Sequence, residues 1–416
     1  MSLLLALRVA RASLWRQTPA ASAATSVLRA RLQQQRFGLS TTADIPTKTE
    51  PVIYRQGPDS QTKNEGTGDS TGDADLDGGA SPQLLLQWHG ATPKTVLIVR
   101  KANDVQVDSA LVRIAQWLHR EYPQINVVLE PCVYRAHRKE LPFVVTVPES
   151  GAEDEYGRVV DFVVTLGGDG TFLHVSSLFS ARVPPIIPFS MGTLGFLLPF
   201  NVSDFAVQLR RVIEGTATLL PRMRLVYTRG GRSGDQDHRD RPSLSDGGAL
   251  QHRVHHITNE ASIHRGTYPH LTTISCFLDG HLLTTSVGDG IIVATPTGST
   301  AYALSAGGPI VHPLVSSMVL APVCPRSLSF RPLMLPPTSV VTLQVHHASR
   351  GHATAYVDGR DCGVLAQGEC VEIRRSPYPL LCVNRDDLAC GWAQDINQLL
   401  KFNRTFSHPH ETPFGE

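Results

Sequence analysis

From residue 95 onward, the order of apolar and polar positions is regular enough to predict elements. Thr95 to Val99 is a short, mostly apolar run of the kind that fills a buried strand. Val107, Leu111, Ile114, Ala115 and Leu118 then recur every three or four residues, on one face of a helix. Further runs at 125–129, 161–166 and 185–189 predict strands; glycines and a helix over 171–179 follow the second. Strands alternating with helices imply a parallel sheet. Residues 203–214 predict one more helix, with Ser203 as N-cap and Gly215 as terminator. The period then changes to two. Short Thr, Val and Ile runs alternate with turns, and Asp279-Gly280 and Asp358-Gly359 supply the positive φ of type I′ hairpins. The expected fold is α/β plus all-β: an N-terminal parallel-sheet α/β domain over 93–215 and a C-terminal antiparallel β-sandwich domain over 216–384. Residues 385–416 form a return segment, with a short helix at 394–404.

Outside these spans the pattern is lost. Residues 1–43 hold six arginines and no acid, with Leu3, Leu7, Ala10 and Leu14 at helical spacing, as in a mitochondrial transit peptide. Residues 44–92, rich in Asp, Gly, Ser and Thr, predict a disordered linker. A second polar stretch at 229–251 interrupts the β pattern and predicts a disordered insertion in a hairpin.

Charge narrows the function. The chain carries 38 Lys and Arg against 37 Asp and Glu; without the arginines of 1–43 the balance turns acidic, which argues against a nucleic-acid partner. No apolar run is long enough for a membrane span. Seven scattered cysteines, none in a CxxC pair, point to inert thiols rather than disulfides or a zinc site.

Three clusters carry candidate chemistry. Gly167, Gly168, Asp169, Gly170 and Thr171 stand between a strand and a helix. Glycines there let backbone N–H groups approach phosphate, and the helix N-terminus favours an anion. A carboxylate among them would repel phosphate if idle. It makes sense as a general base on an attacking hydroxyl, or as a holder of Mg²⁺ through water. Residues 294–302 (ATPTGSTAY), with Thr297, Thr300, Ala301, Tyr302 and then Ser305, offer hydroxyls and an aromatic ring suited to a nucleoside. Asn259-Glu260 ends a β run and by itself would be ordinary surface. No GxxxxGK[ST] P-loop is present.

Taken together, residues 167–171, Asn259-Glu260, Asp289-Gly290 with 294–302, and residues 324–332 (CPRSLSFRP) resemble the ATP-NAD kinases over about 95–400. The resemblance implies transfer of the γ-phosphoryl of ATP, with Mg²⁺, to the 2′-hydroxyl of the adenosine ribose of NADH or NAD⁺. It also implies a homo-oligomer with the substrate site between the domains. Carried over by motif, Asp169 is the catalytic base, and Gly167, Gly168, Gly170 and Thr171 hold phosphates. Asn259 and Glu260 contact the dinucleotide and Asp289 lies near the nicotinamide. Thr297, Thr300, Ala301, Tyr302 and Ser305 contact adenosine.

Two departures refine this expectation. His264 and Arg326 stand where many cytosolic members resemble Ile-Asp-Arg-Gly and Cys-Pro-His-Ser, so the chain resembles the fungal mitochondrial NADH kinase branch. Losing a carboxylate and gaining an arginine disfavours the cationic ring of NAD⁺ relative to neutral NADH. The expected protein is thus a mitochondrial matrix kinase making NADPH. The competing readings are a catalytically silent NAD(H)-binding sensor, which would not need Asp169, and a GGDG-type lipid kinase, which leaves 297–302 without a purpose.

Overall fold

The computed structural model describes residues 47–49, 51–56, 83–88, 90, 92–149, 151–192, 195–232, 254–386 and 388–401. The transit-peptide reading of 1–43 and nearly all of the insertion lie outside these residues.

The first domain is a ten-stranded sheet covered by helices. Its parallel centre is built from β3 (Thr95–Arg100), β4 (Asn126–Leu129), β5 (Val145–Thr146), β6 (Phe162–Gly167) and β7 (Ile186–Ser190). Every residue of β6 and β7 is buried, as befits strands covered on both faces. The helix α1 (Val105–Glu121) starts at Asp104, whose side chain accepts from the N–H groups of Gln106 and Val107. Its predicted stripe of Val107, Leu111, Ile114, Ala115 and Leu118 is wholly buried against the sheet. Shorter helices α2 (Pro131–His137) and α3 (Ala152–Val159) follow. Next come α4 (Asp169–Ser177) and, beyond the short strand β8 (Phe200–Asn201), α5 (Phe205–Ile213). Ser203 lies in a 3-10 turn before α5 and does not cap it; Asn201 instead accepts from the Ser203 N–H. Gly215 ends the helical segment at φ +73° as expected.

The strand order β7-β6-β3-β4-β5 makes β3 and β6 the point where the chain reverses its direction across the sheet. Open α/β sheets bind ligands in the crevice beyond the carboxyl ends of such a pair. Gly167, Gly168 and Asp169 stand at that position, opposite Lys101.

Two readings need correction. The 44–92 segment contains an antiparallel pair, β1 (Pro51–Gln56) and β2 (Gln83–Trp88), and β2 joins the main sheet through β9 (Thr218–Arg222). Alternation explains it: Leu84, Leu86 and Trp88 face the core, and Trp88 Nε1 donates to the Val212 carbonyl at 2.7 Å. Just before β1, the buried Asp161 carboxylate accepts from the backbone N–H groups of Thr49, Lys94 and Thr95. The second correction concerns the domain limits of 216–384. Strand β9 at its start and β22 (Leu380–Asn384) at its end belong to the first sheet, where β22 pairs parallel to β7 and antiparallel to β9.

The second domain is a sandwich of two six-stranded antiparallel sheets. One runs β11-β10-β21-β18-β13-β14, from β10 (Leu225–Arg232), β11 (His255–Ile257), β13 (Thr272–Leu278), β14 (His281–Gly288), β18 (Val341–Val345) and β21 (Glu369–Arg375). The other runs β17-β16-β15-β12-β19-β20, from β12 (Glu260–His264), β15 (Gly290–Ala294), β16 (Met318–Val323), β17 (Leu333–Leu335), β19 (Ala353–Val357) and β20 (Arg360–Leu365). Alternate side chains of both sheets, among them Tyr227, Ile274, Leu343, Ile263, Ile291 and Val293, share one core. Asp279-Gly280 and Asp358-Gly359 turn their hairpins with positive φ at both residues. A four-residue helix, α6 (Tyr302–Ser305), follows β15, and the C-terminal helix α7 spans Leu388–Leu400, starting earlier than expected. Among the described residues no helix is long and apolar enough to cross a membrane.

Candidate functional site

Asp169 is the first residue of α4, directly beyond β6. The turn requires glycine at 167: its φ is +154°, and a Cβ there would lie 2.5 Å from Thr171 Oγ1 and 2.9 Å from Lys101 Cβ. Packing does not demand Gly168 or Gly170, since a Cβ on either would meet nothing within 4 Å. Their open faces leave backbone free for close approach by a phosphate. Thr171 is buried, with its hydroxyl beneath Gly167. The N-terminus of α4 favours the Asp169 carboxylate, but burial raises its pKa; the Leu197 N–H and the Arg222 charge oppose that rise. Asp169 Oδ1 is buried and has no hydrogen-bonding partner among the described residues. A turn at 195–198 closes over it, and only the missing Cβ of Gly195 makes room, since a Cβ would stand 2.8 Å from Oδ1.

The other two clusters are stacked on each other in the sandwich domain. Thr295 N–H donates to the Asn259 carbonyl at 2.9 Å and Thr295 Oγ1 to the Thr258 carbonyl at 2.6 Å. Gly298 sits directly on the Asn259 backbone, where no Cβ fits. Beneath both, Asp358 accepts from the N–H groups of Thr258, Asn259 and Glu260 at 2.9, 2.7 and 3.2 Å. Asn259 is half-buried. Glu260 is 9% exposed, and its Oε2 has no hydrogen-bonding partner among the described residues. Burial, then the nearby Asp358 charge, pushes Glu260 up to about 7, with the Tyr302 N–H opposing. Ala301 and Thr300 are half-buried, while Tyr302 and Ser305 are exposed beside it. The hydroxyls are not all free for a ligand: Thr300 Oγ1 donates to the Thr297 carbonyl at 3.1 Å, and Thr297 Oγ1 accepts from Arg222 at 3.3 Å.

Asp289 begins the turn into β15, where its carboxylate pairs with Arg265 Nε at 2.7 Å. His264, at the end of β12, is half-buried and accepts from the Gly266 N–H at 3.2 Å. Arg326 is exposed; its backbone N–H binds the Val287 carbonyl at the end of the neighbouring strand. Strand β12 pairs with β15, and His264 stands opposite Gly290, so His264 and Asp289 share one end of this sheet.

The two domains meet along α4. Arg224 is fully buried and donates to the Tyr378 carbonyl at 2.6 Å, the Ala181 carbonyl at 2.5 Å and Ser176 Oγ at 3.4 Å. Ser176 Oγ in turn accepts from Thr258 Oγ1 at 2.9 Å, next to Asn259. On the exposed side, His174 bonds Glu130 at 2.8 Å and Arg360 at 3.1 Å. The sequence motifs do not single out Arg222, Arg224, Gly195 or Arg265, and they mark Asp358 only as a hairpin residue. For Gly195 a signal exists in the sequence: Gly192 and Gly195 are a second pair of closely spaced glycines soon after the apolar run at 185–189. No group of three or more His, Cys, Asp or Glu side chains suited to a metal occurs among the described residues.

Residues 96–217 match the ATP-NAD kinase N-terminal domain and residues 258–385 the ATP-NAD kinase C-terminal domain. The chain is 36% identical over 331 residues to a mitochondrial NADH kinase of Schizosaccharomyces pombe, a match covering 79% of this chain and 80% of that one. It is 37% identical over 335 residues to a chloroplastic NAD kinase of Arabidopsis thaliana, but spans only 32% of that longer protein. The crystal structure of a yeast NADH kinase complexed with NADH matches 89% of this chain and 99% of its own, at a TM-score of 0.72 and 31% identity. Two matched domains, in order and joined as the structure joins them, establish that the chain belongs to the ATP-NAD kinase family.

Proposed function

We propose that this protein transfers the γ-phosphoryl of ATP to the 2′-hydroxyl of the adenosine ribose of NADH, and of NAD⁺, releasing ADP and making NADPH or NADP⁺. One observation carries the reading: a half-buried carboxylate with one buried, unsatisfied oxygen begins a helix behind open-faced glycines, one arginine away from Thr297 of the sandwich domain. In this reading Asp169 takes the proton of the 2′-hydroxyl as the ribose oxygen bonds to the γ-phosphorus. The bond from that phosphorus to the β–γ bridging oxygen breaks, and ADP leaves. Desolvation serves this role, since a carboxylate with a raised pKa is a stronger base. Gly167, Gly168, Gly170 and Thr171 line the phosphates. Asn259, Glu260, Ala301, Tyr302 and Ser305 line the adenosine, Thr297 and Thr300 shape their turn, and Asp289 borders the nicotinamide.

Magnesium enters with the substrate as Mg·ATP. The phosphates supply most of its oxygens, and Asp169 is the chain's own carboxylate at that position, suited to contact through water. The preference for NADH rests on His264 and Arg326; the Arg265–Asp289 pair beside them is common to both branches of the motif and does not discriminate. The Arg-bearing N-terminus and the mitochondrial name of the S. pombe relative support a place in the mitochondrial matrix. Assembly as a homo-oligomer belongs to the same proposal.

The decisive experiment is Asp169→Asn. Turnover of NADH with Mg·ATP should fall by about three orders of magnitude, while the fluorescence titration of NADH binding stays within about threefold. Turnover equal to the wild type would remove Asp169 as base. Absence of turnover in the wild-type protein itself would favour the sensor reading.

A further inference from the structure

Arg222 is 6% exposed, and its guanidinium joins pieces of both domains. It is the last residue of β9, where the chain leaves the first sheet; Met223 and Arg224 then lead into β10. Nη2 donates to the Phe196 carbonyl at 3.0 Å, and Nη1 to Thr297 Oγ1 at 3.3 Å. Phe196 lies in the turn whose Gly195 makes room for Asp169 Oδ1 and whose Leu197 N–H favours the ionised carboxylate. Thr297 lies in the turn stacked on Asn259. One side chain therefore fixes the cover of the acid and the adenosine turn at the same time. Its Nε is buried with no hydrogen-bonding partner among the described residues, as is Asp169 Oδ1.

We infer that Arg222 is a positioning residue for phosphoryl transfer, holding the 195–198 turn and Thr297 in register around Asp169. The inference rests on the reading of Asp169 as base. A guanidinium suits this task because two of its nitrogens reach two acceptors in a fixed fork, which a lysine cannot do. Its positive charge also favours ionised Asp169. The other titratable groups around Arg222 are Cys382 from β22, His312 from the loop after α6, and Arg385 and Asp395 at α7. The last two are paired at 2.5 Å, so they add little net charge.

The test compares full-length Arg222→Met, Arg222→Lys and Arg224→Met. Arg224 is the matched control, a second buried arginine of the same crossing that grips the far end of α4. For Arg222→Met, kcat should fall about 50-fold while KM for NADH moves less than about threefold, and the acid limb of the kcat–pH profile should rise by about one pH unit. Arg222→Lys keeps the charge but only one of the two bonds; its limb should stay in place while kcat falls about tenfold. Arg224→Met should melt at lower temperature with the limb unmoved. In an Asp169→Asn background, Arg222→Met should lower the residual rate by less than about threefold, since the two changes act through one group. The inference is overturned if Arg222→Met leaves kcat within twofold, lowers it with no movement of the limb, or is fully additive with Asp169→Asn. Asp169→Asn alone reports separately on the base, so the two ideas fail by different results.

Discussion

Replacing Glu260 with glutamine should make the ligand-free protein more stable above neutral pH and weaken its hold on the dinucleotide. The side chain is 9% exposed, lies near Asp358, and leaves Oε2 without a hydrogen-bonding partner among the described residues. Its pKa stands at about 7 in the folded protein against an ordinary 4.5. A folded pKa raised in this way contributes stability that is complete below 4.5 and lost as pH rises through 7, because the folded state then has to ionise a buried acid. The loss is about 3 kcal/mol at most, and solvent relaxation around the charge brings the expected figure to about 1–3 kcal/mol. Glutamine has nearly the same shape and no charge, so it escapes this loss. Thermal melts of wild type and Glu260→Gln from pH 4 to 8.5 should coincide at the acid end, diverge as pH rises from 4.5 and reach their full separation above 7, the variant melting about 2–6 °C higher at pH 8. The same substitution should raise KM for NADH about tenfold at pH 8, since a ribose hydroxyl loses an anionic acceptor. Melting curves that stay parallel across the whole range would refute the ionisation argument. A higher melting temperature with unchanged KM would refute the role in binding.

Two further predictions follow from close packing and from charge. Gly298→Ala places a Cβ on the Asn259 backbone, so the stacked turns must separate; the variant should lose about 2–4 kcal/mol in denaturant unfolding and fall at least tenfold in kcat/KM for NADH. His264→Asp with Arg326→His should lower the ratio of NADH to NAD⁺ turnover about tenfold, and an unchanged ratio in side-by-side assays would remove the electrostatic account of cofactor preference.

The parts of the protein legible in its sequence were those governed by local pattern. The stripe of α1 and the runs of β3, β4, β6 and β7 announce themselves because their partners are dictated by period and burial. The same holds for Gly167, whose strained turn follows directly from a strand meeting a helix. Asp358 was legible only as a hairpin residue. Its three backbone partners lie about a hundred positions away, and no local pattern records that convergence. Arg222 and Arg224 are similar cases, since an arginine at a strand end reads as solvent-facing until the other domain is placed against it. The β2 strand shows a different failure: the acidic, glycine-rich composition before it outweighed the clear alternation of Leu84, Leu86 and Trp88. Even the hydroxyl-rich turn was only partly readable. Thr297 Oγ1 accepts from Arg222 and Thr300 Oγ1 donates to the Thr297 carbonyl, bonds within the protein that residue type alone does not announce.

The two acids of the site face different electrostatic surroundings, and that difference should separate the pH dependence of binding from that of chemistry. Asp169 has a guanidinium and the Leu197 N–H working against its burial. Glu260 has only the Tyr302 N–H, and the charge beside it is another carboxylate. In the free enzyme Glu260 is therefore the harder to ionise, and an acid limb in kcat/KM for NADH should centre near its value of about 7. Once the dinucleotide donates hydroxyls to Glu260, its ionised form is favoured and its titration moves to lower pH. What remains in kcat is Asp169, so the limb in kcat should fall at lower pH than the limb in kcat/KM. Glu260→Gln should abolish the upper limb and leave the lower one, whereas Arg222→Met should move the lower one and leave the upper. Steady-state rates at saturating and limiting NADH across pH 5 to 9 distinguish the cases. A single limb shared by both parameters would mean that one group governs binding and transfer together, and the division of labour between the two domains would have to be abandoned.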